Sequence, residues 1–100
     1  MDLFDLDKLA EFNNEKFSVK VLVKDAKQRL LLFCLRTGQA VPEHAAPGTV
    51  TVQCVSGRVT FYDGEEPCNL PAGTLVRLEP QRPHSLKADE DSVLLVSIVS

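Results

Sequence analysis

The sequence holds only two histidines, and its three cysteines form no C-x-x-C pair. Cys34, Cys54 and Cys68 are odd in number and scattered, which excludes a disulfide framework or a cysteine-rich zinc site and leaves reduced thiols as the expectation. No stretch approaches the roughly 18 consecutive apolar residues of a membrane span. There is no cluster of basic residues, and the net charge of -3 with a pI near 5.3 excludes a nucleic-acid surface. The first residues, MDLFDLDKLAEF, are acidic and lack the basic start of a secretory signal, so a cytoplasmic location is expected. Low-complexity segments and linkers are missing as well.

What remains is one domain's worth of β-rich chain. One hundred residues can build a single core but not two. Residues 1–16 read as a short helical arm and 17–100 as the β domain. In the arm, Asp5 or Asp7 can cap a turn or two that carries Leu6, Leu9, Ala10 and Phe12 on one side, with Asn13-Asn14 as the stop. Phe17 to Val23 alternates as a half-buried strand with Phe17, Val19, Val21 and Val23 on one face, broken only at Leu22. Arg29 to Arg36 is an apolar run bounded by turn signals and reads as a buried strand.

Further along, Thr49 to Val55 alternates strictly, placing Val50, Val52 and Cys54 on one face. Arg58 to Tyr62 follows, and Asp63-Gly64 is the strongest hairpin signal in the chain. Strands are then expected over Pro67 to Leu70, Thr74 to Leu78, from Ser85, and Ser92 to Val99. Short strands spaced about every 8–12 residues imply an all-β sandwich or small barrel. Leu30 to Leu35 and Val93 to Val96 are apolar on both faces, so a second layer must cover them. A homodimer is the favoured cover and the N-terminal helix the alternative.

The two histidines close two similar segments. Gly38 is followed after five residues by His44, and Gly73 leads through TLVRLEPQRP to His84. Together with Gly57 and Pro80, these segments resemble the two motifs of the cupins, over about residues 29–99. The resemblance implies a double-stranded β-helix, the RmlC-like jelly-roll barrel. It also implies a cage of three histidines and one carboxylate around iron, manganese, nickel, copper or zinc.

The cage is incomplete here. The second histidine of the first motif falls on Ala46, its glutamate on Val50, and the asparagine position of the second motif on Ala88. Only His44 and His84 stand at ligand positions. Two imidazoles alone bind a metal weakly, so a further donor is needed. By alternation Cys54 faces the same interior, as either a third donor or a small buried apolar side chain. An apolar pocket is expected from Val50, Val52, Cys54, Leu78 and Leu86. Arg82 at the barrel mouth is either an anchor for a ligand carboxylate or a solvated loop charge.

Three readings follow from the residues and the resemblance together. One is a metal-dependent enzyme, oxygenase-like or isomerase-like, with a divalent metal on His44 and His84. Another is a barrel that binds a small molecule in an apolar pocket, with a weak or ligand-completed metal or none. The last is a sensor or scaffold without turnover.

Overall fold

A computed structural model describes all residues from Met1 to Ser100. The chain begins with one turn of helix, α1 (Leu6–Leu9), and continues through nine strands. These are β1 (Ser18–Lys24), β2 (Gln28–Leu35), β3 (Ala40–His44), β4 (Thr49–Ser56), β5 (Arg58–Asp63), β6 (Glu66–Pro71), β7 (Leu75–Leu78), β8 (His84–Ala88) and β9 (Ser92–Val99). They form two antiparallel sheets, one in the order β1-β2-β9-β4-β7 and one in the order β3-β8-β5-β6. No helix is long and apolar enough to cross a membrane.

The alternation in β4 places Val50, Val52 and Cys54 in the space between the sheets, where Val59 and Phe61 of β5 and Leu86 of β8 meet them. Burying side chains of this size stabilises by about 1.5–3 kcal/mol each, so this layer dominates the fold. Strand β2 serves two layers because its residues alternate between them. Leu31, Phe33 and Leu35 join the inner core, while Leu32 and Cys34 join Val93 in an outer cluster. That outer cluster is closed by Leu6, Leu9, Ala10 and Phe12. Asp5 caps α1 through its side chain and the Lys8 amide. The apolar face that argued for a second copy is thus already covered within one chain by the arm.

Two local expectations are corrected, and one segment read only as a motif proves to be a strand. Leu22, the break in the alternation of β1, marks a bulge between Val21 and Val23. Val19 and Val21 nevertheless stay 44% and 56% exposed rather than buried, because β1 is an edge strand bonded only to β2. The β5–β6 turn is Gly64-Glu65 rather than Asp63-Gly64, since Asp63 pairs with Glu66. Of the turn residues only Gly64 has a positive φ (61°), the pattern of a turn with glycine at its first central position. Finally, the segment leading to His44 is itself a strand, β3. Its Pro42 is tolerated because β3 lies at a sheet edge and its ladder to β8 shifts register between Val41 and His44.

Candidate functional site

His44 ends β3 and His84 begins β8, and the two residues are partners in the β3–β8 ladder. Their ring centroids lie 4.2 Å apart with planes tilted by 59°. His84 also stacks on Phe61, with centroids 5.7 Å apart. Each ring is oriented by the same local device. His44 Nδ1 lies 2.9 Å from the Pro42 carbonyl oxygen, and His84 Nδ1 lies 2.9 Å from that of Arg82. A carbonyl can only accept, so each Nδ1 carries the proton and donates. In the neutral ring the Nε2 lone pair is then left free to accept a proton or bind a cation.

The loops holding the rings are pinned. The Gln81 amide donates to the Ala46 carbonyl at 2.8 Å, tying the approach to His84 to the exit from His44. Gln81 is the one non-glycine residue with a left-handed backbone (φ 65°). The Gly64 amide donates to the Pro83 carbonyl at 3.1 Å. Arg82 donates to both Asp63 oxygens, at 2.9 and 2.8 Å.

His84 is 3% exposed, and that burial is the main reason its pKa lies below the ordinary histidine value. The neighbouring His44 pushes in the same direction, while the Arg82 carbonyl and the Asp63 carboxylate oppose it. The ring is therefore neutral at pH 7, with its accepting Nε2 available.

The histidines border a cleft of about 260 Å³. Its other walls are Arg29, Leu31 and Phe33 of β2, Val96 and Ile98 of β9, Val50 of β4, and the turn Ala45-Ala46-Pro47. A smaller cavity of about 20 Å³ continues the space inward past Val41, Val52 and Leu86. Ala46 and Val50, at the positions of the motif's second histidine and glutamate, thus present apolar surface where donors would stand.

The structure brings together five of the residues named from the sequence: His44, His84, Val50, Val52 and Leu86. The other three lie elsewhere. Cys54 shares the inward face of β4 but sits four residues beyond Val50, about 13 Å along a strand at its usual rise. Its Sγ donates to the Ser56 carbonyl at 3.4 Å, and burial followed by the Glu90 charge raises its pKa, so it is a core thiol and not a third donor. Leu78 pairs with Val50 across the β4–β7 ladder and fills the core without bordering the cleft. Arg82 is occupied by Asp63 and does not reach the cleft.

The donor set does not fit a protein-built metal cage. No group of three or more histidine, cysteine, aspartate or glutamate side chains is placed to hold an ion. A cage needs at least three such ligands, and this chain supplies two. Arg29, Leu31, Phe33, Val41, Val96 and Ile98 escaped the sequence reading. Alternation within β2 and β9 signals the inward apolar ones, but only the β2–β9 register aligns Arg29 with Ile98 and Leu31 with Val96.

Comparisons with known proteins agree with this geometry. The cupin domain family model matches residues 31–99. An RmlC-like cupin from Desulfovibrio desulfuricans superposes with a TM-score of 0.92 at 22% identity, over 99% of this chain and 96% of that one. TT1209 from Thermus thermophilus gives 0.90 at 27% identity, over 99% and 97%. A conserved protein from Streptococcus pyogenes gives 0.89 at 23%, over 99% and 87%. No curated protein matches the chain. With the family model spanning both histidine segments and nearly every strand of the barrel, this chain belongs to the cupin domain family.

Proposed function

We propose that this cupin barrel binds a small molecule in the cleft beside His44 and His84, with a hydroxyl of the ligand donating to the imidazoles. One observation carries the reading. Both Nδ1 atoms are committed to backbone carbonyls, so the two neighbouring rings leave their Nε2 atoms as acceptors at a cleft whose wall is apolar apart from Arg29. The cleft's volume falls just below the roughly 300–1,000 Å³ of drug-sized pockets, which suits a compact metabolite. Orientation would come from the histidines and affinity from burial against Phe33, Val50 and Val96.

The test is a thermal-shift screen of small organic acids, phenols and sugars in the presence of chelator. A ligand at 100 times its Kd should stabilise the protein by about 2.7 kcal/mol. His44→Ala should abolish the shift without unfolding the chain, because His44 is exposed. An equal shift in the variant would refute the role of the histidines, and no shift with any compound would leave a scaffold role ahead.

The same paired acceptors support a second reading. A divalent transition metal (zinc, iron, nickel, copper or manganese) could be held by the two imidazoles and completed by ligand oxygens. The protein supplies too few donors to hold such an ion unaided, so binding should require ligand and metal together. Elemental analysis of protein purified with and without ligand separates the readings. Stoichiometric metal only with ligand supports the second.

A further inference from the structure

We propose that Arg29 is the cationic anchor of this cleft for a ligand carboxylate and that the ligand is a small hydroxy or phenolic acid. The assignment rests on the cleft reading above. It starts from an accounting of the five arginines. Arg36 pairs with Asp91, Arg58 with Glu90, Arg77 with Glu79, and Arg82 with Asp63. Arg29 alone has no carboxylate partner, and its side chain donates no hydrogen bond within the chain. It is also the one arginine that borders the cleft.

The surroundings leave its charge uncompensated. No aspartate or glutamate lines the cleft, and Lys24 faces Arg29 across the β1–β2 ladder. A fork of guanidinium donors suits a planar carboxylate better than any neutral group. At the histidine end the demand is opposite. Imidazoles whose Nδ1 carries the donated proton present their acceptor at Nε2, and acceptors repel a carboxylate but receive a hydroxyl proton. Between the two ends lie Leu31, Phe33 and Ile98, which require an apolar spacer. A ligand meeting all three conditions carries a hydroxyl at one end, a carboxylate at the other, and a hydrocarbon or aromatic body between them.

The experiment titrates wild type, Arg29→Met and His44→Ala with a panel of small hydroxy and phenolic acids, each paired with its primary amide, by calorimetry with chelator present. Methionine keeps the apolar stem and removes the charge. In wild type the best acid should bind about 5- to 30-fold tighter than its amide, the range for a charge-assisted contact at a solvent-facing mouth. Arg29→Met should erase that preference by weakening the acid far more than the amide, and His44→Ala should weaken acid and amide alike. Equal binding of acid and amide in wild type, or a preference that survives Arg29→Met, overturns the Arg29 assignment and leaves the cleft reading standing. Binding of the panel that is indifferent to His44→Ala overturns the cleft reading instead, and the absence of any binding overturns both.

Discussion

Replacing Gly57 by alanine should destabilise this fold far more than the same change at Gly73, although both glycines stand at cupin motif positions with a left-handed backbone, φ 83° and 89°. The shared conformational cost of an L side chain there is about 1–2 kcal/mol. At Gly73 nothing lies within 4 Å of the new Cβ, so that cost is the whole effect. At Gly57 the new Cβ would stand 2.8 Å from the Ser92 Cα and closer still to the Asp91 carbonyl oxygen and Ser92 Oγ. Two of these atoms are backbone, so the start of β9 must move. Ser92 is fully buried, and its hydroxyl accepts from the Arg58 amide at 3.0 Å and lies 2.7 Å from the Glu90 carbonyl to which it donates. Displacing it forfeits two bonds of about 1 kcal/mol each and leaves the Arg58 amide without its partner.

The sum is about 3–5 kcal/mol for Gly57→Ala against about 1–2 kcal/mol for Gly73→Ala. For a domain of this size each kcal/mol moves Tm by about 4–8 °C, so the variants should separate by more than 10 °C, roughly. Urea titration of both variants is the assay, with calorimetry as the second readout. Equal stabilities would refute the contact argument and show that the turn between β4 and β5 adapts freely.

Other outcomes follow from single features. Gln81→Gly should stabilise by about 0.5–1 kcal/mol in urea unfolding, because it relieves the left-handed backbone at little cost in a loop; a loss of stability would mean that the side chain anchors the loop. Since burial lowers the His84 pKa in the folded state, the unfolded chain binds the proton more readily, so stability is full above the ordinary value near 6.5 and falls as pH drops below it. Glu11 and Asp91 have lowered pKa values too, but their contributions fade only below about pH 4.5, the usual carboxylate range. A slope between pH 6.5 and 5 that vanishes in His84→Phe assigns the effect, and a slope unchanged in that variant refutes it. Leu9→Ala should uncover Cys34 beneath the arm, so a thiol reagent should label two cysteines rapidly where wild type offers only the exposed Cys68; unchanged labelling would mean that the arm does not shield this face. The homodimer expected from the apolar strands β2 and β9 should show as a dimer by sedimentation at micromolar concentration, and a monomeric wild type would end that expectation in favour of the arm as sole cover.

Most strands were legible because they carry their own alternation or apolar run, and the cupin resemblance joined them into one barrel, whereas β3, interrupted by Pro42, was not. Ser92 to Val99 matches β9 at both ends, and the break at Leu22 marked a bulge. Long-range placement was harder to read. Alternation assigns Cys54 correctly to the inward face, yet it says nothing of height in the barrel, and height separates that thiol from the histidines. Arg82 was named for its neighbour His84, whereas the cross-strand position of Asp63 decides where its guanidinium goes. Arg29 is the converse case. It lies 55 residues from His84 in sequence, and only the packing of the two sheets makes them walls of one cleft.

These differences separate two kinds of constraint within the same motifs. Gly57 and Gly73 answer to the backbone, since their conformations are required whatever the cleft contains. The donor positions answer to chemistry, and here they are only half filled by donors. Ala46 and Val50 are apolar wall, and His44 and His84 stand beside them as the donors. Packing accounts for part of what His84 does, because it is buried against Phe61 and an aromatic side chain could replace it there. It does not account for His44, which is exposed, fills no core space and still has its ring fixed by the Pro42 carbonyl. An exposed imidazole held beside a buried one offers little stability, typically within about 0.5 kcal/mol of any other surface residue. What the pair does provide is a doubled acceptor facing a cleft whose one arginine is unpaired. That combination is what supports the proposed small-molecule binding.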